Sequence, residues 1–142
     1  MTQALKFKQA GDLDPALEDP AVRTLNADKL LGRWVNTNPE SQGIASCVIE
    51  REGNNFSLSV IGVGTDGPIE WPRTTAKGLA NLEEEAGQRA LALTATIAFD
   101  FMLAETYIRV NKGVLVTVLY ITFLDNSGRS NYVNREFFHR HN

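Results

Sequence analysis

The sequence predicts an all-β protein: an eight-stranded antiparallel up-and-down β-barrel behind a non-regular N-terminal arm. Three observations carry that expectation. A Gly32-Arg33-Trp34 opening follows a short helix-prone stretch, Asn26-Ala27-Asp28-Lys29-Leu30-Leu31. From there to His139, eight strand-like segments succeed one another across short, turn-rich connections. No segment after Trp34 keeps an apolar stripe of helical period over three turns, and the nearest approach, Gly78 to Gly87, is short. Eight meandering strands close into a barrel wide enough for side chains or one small ligand. Closure also removes the edge strands that invite aggregation.

The chain of 142 residues is the size of one domain, divided here into an arm over residues 1–27 and a barrel over 28–142. The arm mixes charge with Pro15 and Pro20 and shows no periodicity beyond one helical turn around Pro15 to Glu18. It is expected to be partly disordered or to cap a barrel end. The first strand runs through Trp34 and breaks at Asn36-Thr37-Asn38-Pro39-Glu40. Gly43 to Arg51 and Asn55 to Val63 flank Glu52-Gly53-Asn54, a tight hairpin signal. With Gly53-Asn54 as the loop, Ala45, Cys47 and Ile49 share a dry face with Phe56, Leu58 and Val60. Ser46, Glu50, Ser57 and Ser59 share the wet one.

Ile69 to Lys77 is a weaker strand that Pro72 confines to an edge or bulge. Asn81 to Gly87 is acidic and turn-like, and Arg89 to Phe99 alternates cleanly. Met102 to Val110 and Val114 to Leu124 flank Asn111-Lys112-Gly113, and Asp125-Asn126-Ser127-Gly128 turns into a last strand, Ser130 to His139. Gly62-Val63-Gly64-Thr65-Asp66-Gly67 has the glycine spacing of a dinucleotide-binding turn, which requires a helix to follow. Pro68 to Pro72 follows instead, so a mobile glycine-rich rim loop is expected.

Composition excludes several function classes. The net charge of −3, with both signs scattered, gives no basic stripe for nucleic acid. The single cysteine, Cys47, rules out an internal disulfide. The longest apolar-rich stretch, Val114 to Leu124, is too short for a membrane-spanning helix. The N-terminus has no apolar run of signal-peptide length, so a cytoplasmic protein is expected.

Gly32, Trp34, the helix-prone lead-in and an arginine on the last strand together resemble the calycin group of lipocalins and fatty-acid-binding proteins. The resemblance implies an arginine packed over Trp34 at the barrel base, with Arg135 the first candidate and Arg140 the second. It also implies an apolar lumen holding a small molecule. A late Thr-Asp-Tyr loop and a disulfide pair, further marks of lipocalins, are absent.

The expected site follows from strand pairing. With Lys112-Gly113 as a two-residue loop, Glu105 lies opposite Tyr120, Tyr107 opposite Val118 and Arg109 opposite Val116. The other face carries Met102, Ala104, Thr106, Ile108, Val110, Leu115, Thr117, Leu119, Ile121 and Phe123. One arrangement puts that apolar face in the lumen. The inverted one points Glu105, Tyr107 and Tyr120 inward beside Phe101 and Leu103, where a carboxylate among apolar groups serves as general acid or base. Both faces are rather apolar, so the outward one is expected to meet a second chain, giving a homodimer, or the arm.

The reading is a carrier of a small apolar molecule, contacted by Trp34, Trp71, Phe99, Phe101, Leu103 and Val118. The alternative is a cofactor-independent cyclase or isomerase using Glu105, Tyr107 and Tyr120. His139 and His141 are the two histidines, and neither is assigned a metal or heme. No cofactor and no metal are called for.

Overall fold

The computed structural model describes residues 26–80 and 89–141. The arm up to residue 25 and the acidic turn at 81–87 lie outside them. Nine strands follow in chain order: β1 (Gly32–Asn36), β2 (Ile44–Glu52), β3 (Asn55–Gly64), β4 (Gly67–Glu70), β5 (Thr74–Ala80), β6 (Ala90–Ala98), β7 (Met102–Asn111), β8 (Val114–Phe123) and β9 (Tyr132–Arg140). All pairings between them are antiparallel. Eight strands close on themselves in the order β1-β2-β3-β5-β6-β7-β8-β9, with β9 pairing back to β1, and β4 hangs on β3 outside the barrel. Among the described residues there is no helix long and apolar enough to cross a membrane.

The two hairpins form in the expected registers. Glu52 faces Asn55 and Cys47 faces Val60. In the second, Glu105 faces Tyr120, Tyr107 faces Val118 and Arg109 faces Val116. The Lys112-Gly113 turn has φ of 53° and 80°, both left-handed, which is the twist a two-residue hairpin needs. The inner wall is built by Trp34, Cys47, Ile49, Phe56, Leu58, Val60, Leu93, Ile97, Ala104, Ile108, Leu115, Leu119, Ile121 and Phe138, all buried in one cluster. Their alternation along each strand is the period-2 rule of a sheet with one dry face.

The structure corrects the expected elements in four places. The weak strand over 69–77 is two strands, because Trp71-Pro72-Arg73 interrupts the ladder; β4 pairs with one end of β3 and β5 with the other. The glycine-rich segment is the tight β3–β4 hairpin, with Gly64 facing Gly67, so no loop projects there. A register shift between Ile44 and Ser46 makes Ile44 the buried residue at that end of β2 and leaves Ala45 half-buried. The lead-in to Trp34 is a single turn, closed by Leu30 and Leu31 N–H groups donating to the Ala27 carbonyl at 2.7 and 3.0 Å.

Candidate functional site

The ends of the barrel differ in chemistry. At one end, Trp34 is buried and its indole N–H donates to the Leu30 carbonyl at 2.9 Å. The Arg140 guanidinium lies 4.4 Å from the Trp34 ring and donates to the carbonyls of Leu31 and, at 2.8 Å, of Lys29. Arg140, and not Arg135, is therefore the closing arginine. The reason is register and facing: Arg140 is the direct β1–β9 partner of Trp34, whereas Arg135 faces outward over Phe137 at 5.5 Å. Cys47 pairs with Trp34 across β1–β2 and is buried, and burial pushes its thiol pKa up to about 12. A protonated, enclosed thiol is a core group and no nucleophile.

The opposite end is polar. Glu136 faces inward from β9 and is 9% exposed. Its Oε1 accepts from Asn36 Nδ2 at 3.0 Å and from the Ser41 hydroxyl, and its Oε2 accepts from the Ile44 amide at 3.0 Å. Asn36 Nδ2 also donates to the Ile44 carbonyl at 2.7 Å, and Ser41 Oγ accepts the Gly43 amide at 3.0 Å. One carboxylate thus folds the whole β1–β2 loop onto the barrel mouth. Beside it opens a cleft of about 560 Å³ lined by Asn36, Ser41, Gly43, Tyr132, Asn134 and Glu136, among others.

Directly across the β8–β9 ladder from Glu136 stands Thr117, also facing inward. It is 1% exposed, and its hydroxyl has no hydrogen-bond partner. Thr106, the other buried inner-wall threonine, donates to the Ala104 carbonyl at 3.3 Å.

Trp71, Phe99 and Phe101 come together at this same mouth. Trp71 and Phe99 meet edge-to-face at 5.2 Å, and Phe99 lies 5.7 Å from Phe101. Trp71 is seated on Gly62, where a Cβ would fall 2.3 Å from its Nε1, so that glycine is the indole's seat. The Arg129 guanidinium stacks 4.2 Å from Phe123 and 5.4 Å from Phe101, completing the rim.

Glu105, Tyr107 and Tyr120 are also together, but on the outer wall, around a shallow hollow of about 240 Å³. The inverted arrangement is not the one formed. Met102, Ala104, Thr106 and Ile108 take the interior because they bury more apolar surface there than the face carrying Glu105 and Arg109 would. Leu103 and Val118 share that outer wall and are half-buried, while Trp34 lies at the closed end. His139 is exposed on β9, and His141 continues the ladder by donating its amide to the Arg33 carbonyl at 2.9 Å. Among the described residues no three His, Cys, Asp or Glu side chains gather in a way that holds a metal.

The group around Glu136 escapes a reading of the sequence. Tyr132 to Arg140 mixes polar and apolar residues in both phases, so neither face announces itself as inner. The connection from Asp125 to Asn131 is also too long to fix the β8–β9 register. Thr117 lies on the apolar face in any reading, but its significance depends on the carboxylate facing it. No family model, curated protein or solved structure matches this chain.

Proposed function

We propose that this barrel binds a small, largely apolar molecule that enters at the mouth beside the β1–β2 loop, as calycin-like carriers do. The observation that carries the reading is the Thr117 hydroxyl, 1% exposed and unpartnered in the interior. A buried hydroxyl left without a hydrogen bond costs about 1–3 kcal/mol, so such a group ordinarily has a partner from outside the chain. A cleft opens beside Glu136, the cross-strand neighbour of Thr117, and the aromatic side chains Trp71, Phe99 and Phe101 cluster at the same end of the barrel.

Titration with Nile red tests this: a saturable, blue-shifted emission is expected, displaced by 1-octanol. Thr117→Val should leave the fold intact and weaken octanol binding on the order of tenfold, since it deletes the one hydroxyl waiting for a partner. Absence of saturable dye uptake would sink the reading. The cyclase or isomerase alternative is the weaker one, because Glu105, Tyr107 and Tyr120 stand outside the barrel and no acid or base of that set reaches an enclosed substrate.

A second reading concerns partners. Val133, Tyr120 and Phe137 are 62%, 53% and 42% exposed on the outer wall of β8 and β9, with Arg135 between Val133 and Phe137 and Glu105 across the ladder from Tyr120. Opposite charges set into one largely apolar surface suit a two-fold contact with a second copy, in which each glutamate meets the other chain's arginine. Sedimentation over a concentration series should show a dimer that Val133→Lys dissociates; a monomer throughout would refute it.

A further inference from the structure

Among the described residues, Glu136 is the one charged side chain that is buried. Its partners are an amide, a hydroxyl and a backbone N–H, all neutral, and no cation among the described residues pairs with it. The inner-facing cation Arg140 lies at the opposite end, where it donates to Leu31 and Lys29. A carboxylate has about four acceptor positions. Three of Glu136's are taken, two on Oε1 and one on Oε2, and the fourth lies on Oε2. Next to that oxygen the chain has Gly43, where a Cβ would stand 2.7 Å from Oε2 and 3.1 Å from Asn134 Nδ2. The glycine keeps a methyl group out of the space these two side chains border. On the next strand waits the unpartnered Thr117 hydroxyl, whose Cβ, as a cross-strand neighbour, is about 4.5–5.5 Å from that of Glu136.

We infer that the site selects its ligand by charge: it takes a molecule whose polar end is an ammonium and whose body is apolar, and it rejects carboxylates. The inference rests on the interior-binding reading above and names the class of ligand. An ammonium has three donors and no acceptor, so it suits the free position on Glu136 Oε2 and the lone pairs of Thr117 Oγ1 together. It also brings a cation to a carboxylate whose hydrogen-bond partners are all neutral. A carboxylate would bring like charge against Glu136 in a poorly solvated place, which is strongly unfavourable.

The experiment is competition against Nile red on the whole protein at about pH 7.5, with octylamine, 1-octanol and octanoate as competitors. At that pH the amine is protonated and the acid ionised. Octylamine should displace the dye at concentrations on the order of tenfold below octanol, with octanoate the poorest of the three. Gly43→Ala puts a methyl group 2.7 Å from Oε2 and should remove the amine's advantage, with an unchanged circular dichroism spectrum and cooperative melting reporting that the barrel is still folded. Equal displacement by all three, or octanoate binding best, overturns the charge selection and leaves interior binding standing. An amine preference that persists in Gly43→Ala also overturns the assignment to Glu136. Failure of the dye to bind at all overturns both readings together.

Discussion

The two ends of this barrel each fold a connection inward onto a charged group, and they use that charge in opposite ways. At the closed end, the Arg140 cation covers the Trp34 ring and donates to two backbone carbonyls, with its side chain still half-exposed. At the mouth, the Glu136 anion is buried, accepts from three neutral donors, and keeps one acceptor position open beside Gly43. The first arrangement spends its charge on the ring and backbone of its own chain. The second leaves a carboxylate with neutral partners next to an unpartnered hydroxyl and a cleft. Within one continuous sheet the two ends are therefore built differently along the barrel axis, an aromatic plug at one and a hydrogen-bonded carboxylate at the other.

The largest expected effect comes from breaking the plug. Trp34→Ala removes a fully buried indole from between the lead-in turn and Arg140, and should cost about 3–5 kcal/mol in urea denaturation. A loss below about 1 kcal/mol would mean that the closed end is not what holds the barrel shut. A second test asks whether that end is dry. Cys47 sits beside Trp34, and its thiol pKa is raised from 9.0 to about 12 by burial. Above pH 9 the unfolded chain releases the thiol proton while the folded one retains it, so stability falls as pH rises through that window. Relative to Cys47→Ala, wild type should lose about 1.4 kcal/mol per pH unit between pH 9 and the folded pKa, with parallel curves below pH 9. Parallel curves up to pH 11 would show that water reaches the thiol.

How much of this contrast the sequence carries is itself instructive. Hairpin registers are legible because a two-residue loop fixes every pairing that follows: Gly53-Asn54 and Lys112-Gly113 placed Cys47, Ile49, Glu105 and Tyr107 against the partners they have. The split at Trp71-Pro72-Arg73 was legible only as weakness, since a proline removes a ladder donor without saying where pairing resumes. The sequence ranks Arg135 ahead of Arg140, and what reverses the order is the β1–β9 pairing, a contact between chain segments about a hundred residues apart. The same holds for Glu136. Its partners Asn36, Ser41 and Ile44 lie 92 to 100 positions away, so nothing local marks it. The face of β7 and β8 that turns inward was left open by the sequence because both faces are apolar; the total burial over the closed barrel decides it.

The smallest expected effect is at the mouth, and it bears most directly on whether the ends act separately. Ser41 donates to Glu136 and accepts the Gly43 amide, so Ser41→Ala takes one donor from the buried carboxylate and one acceptor from the loop. The remaining donors, Asn36 Nδ2 and the Ile44 amide, hold Glu136 in place, so the global cost should be about 1 kcal/mol. The local cost should be larger than that figure suggests. Hydrogen exchange at the Gly43 amide should accelerate, while protection at Trp34 and Cys47 stays unchanged, because loops opening below the global free energy expose only their own amides. If Ser41→Ala instead lowers protection at the closed end as well, the mouth and the plug unfold as one cooperative unit. A ligand bound at Glu136 would then stabilise the whole barrel, and the division of labour between its ends would be one of chemistry alone, with no counterpart in stability.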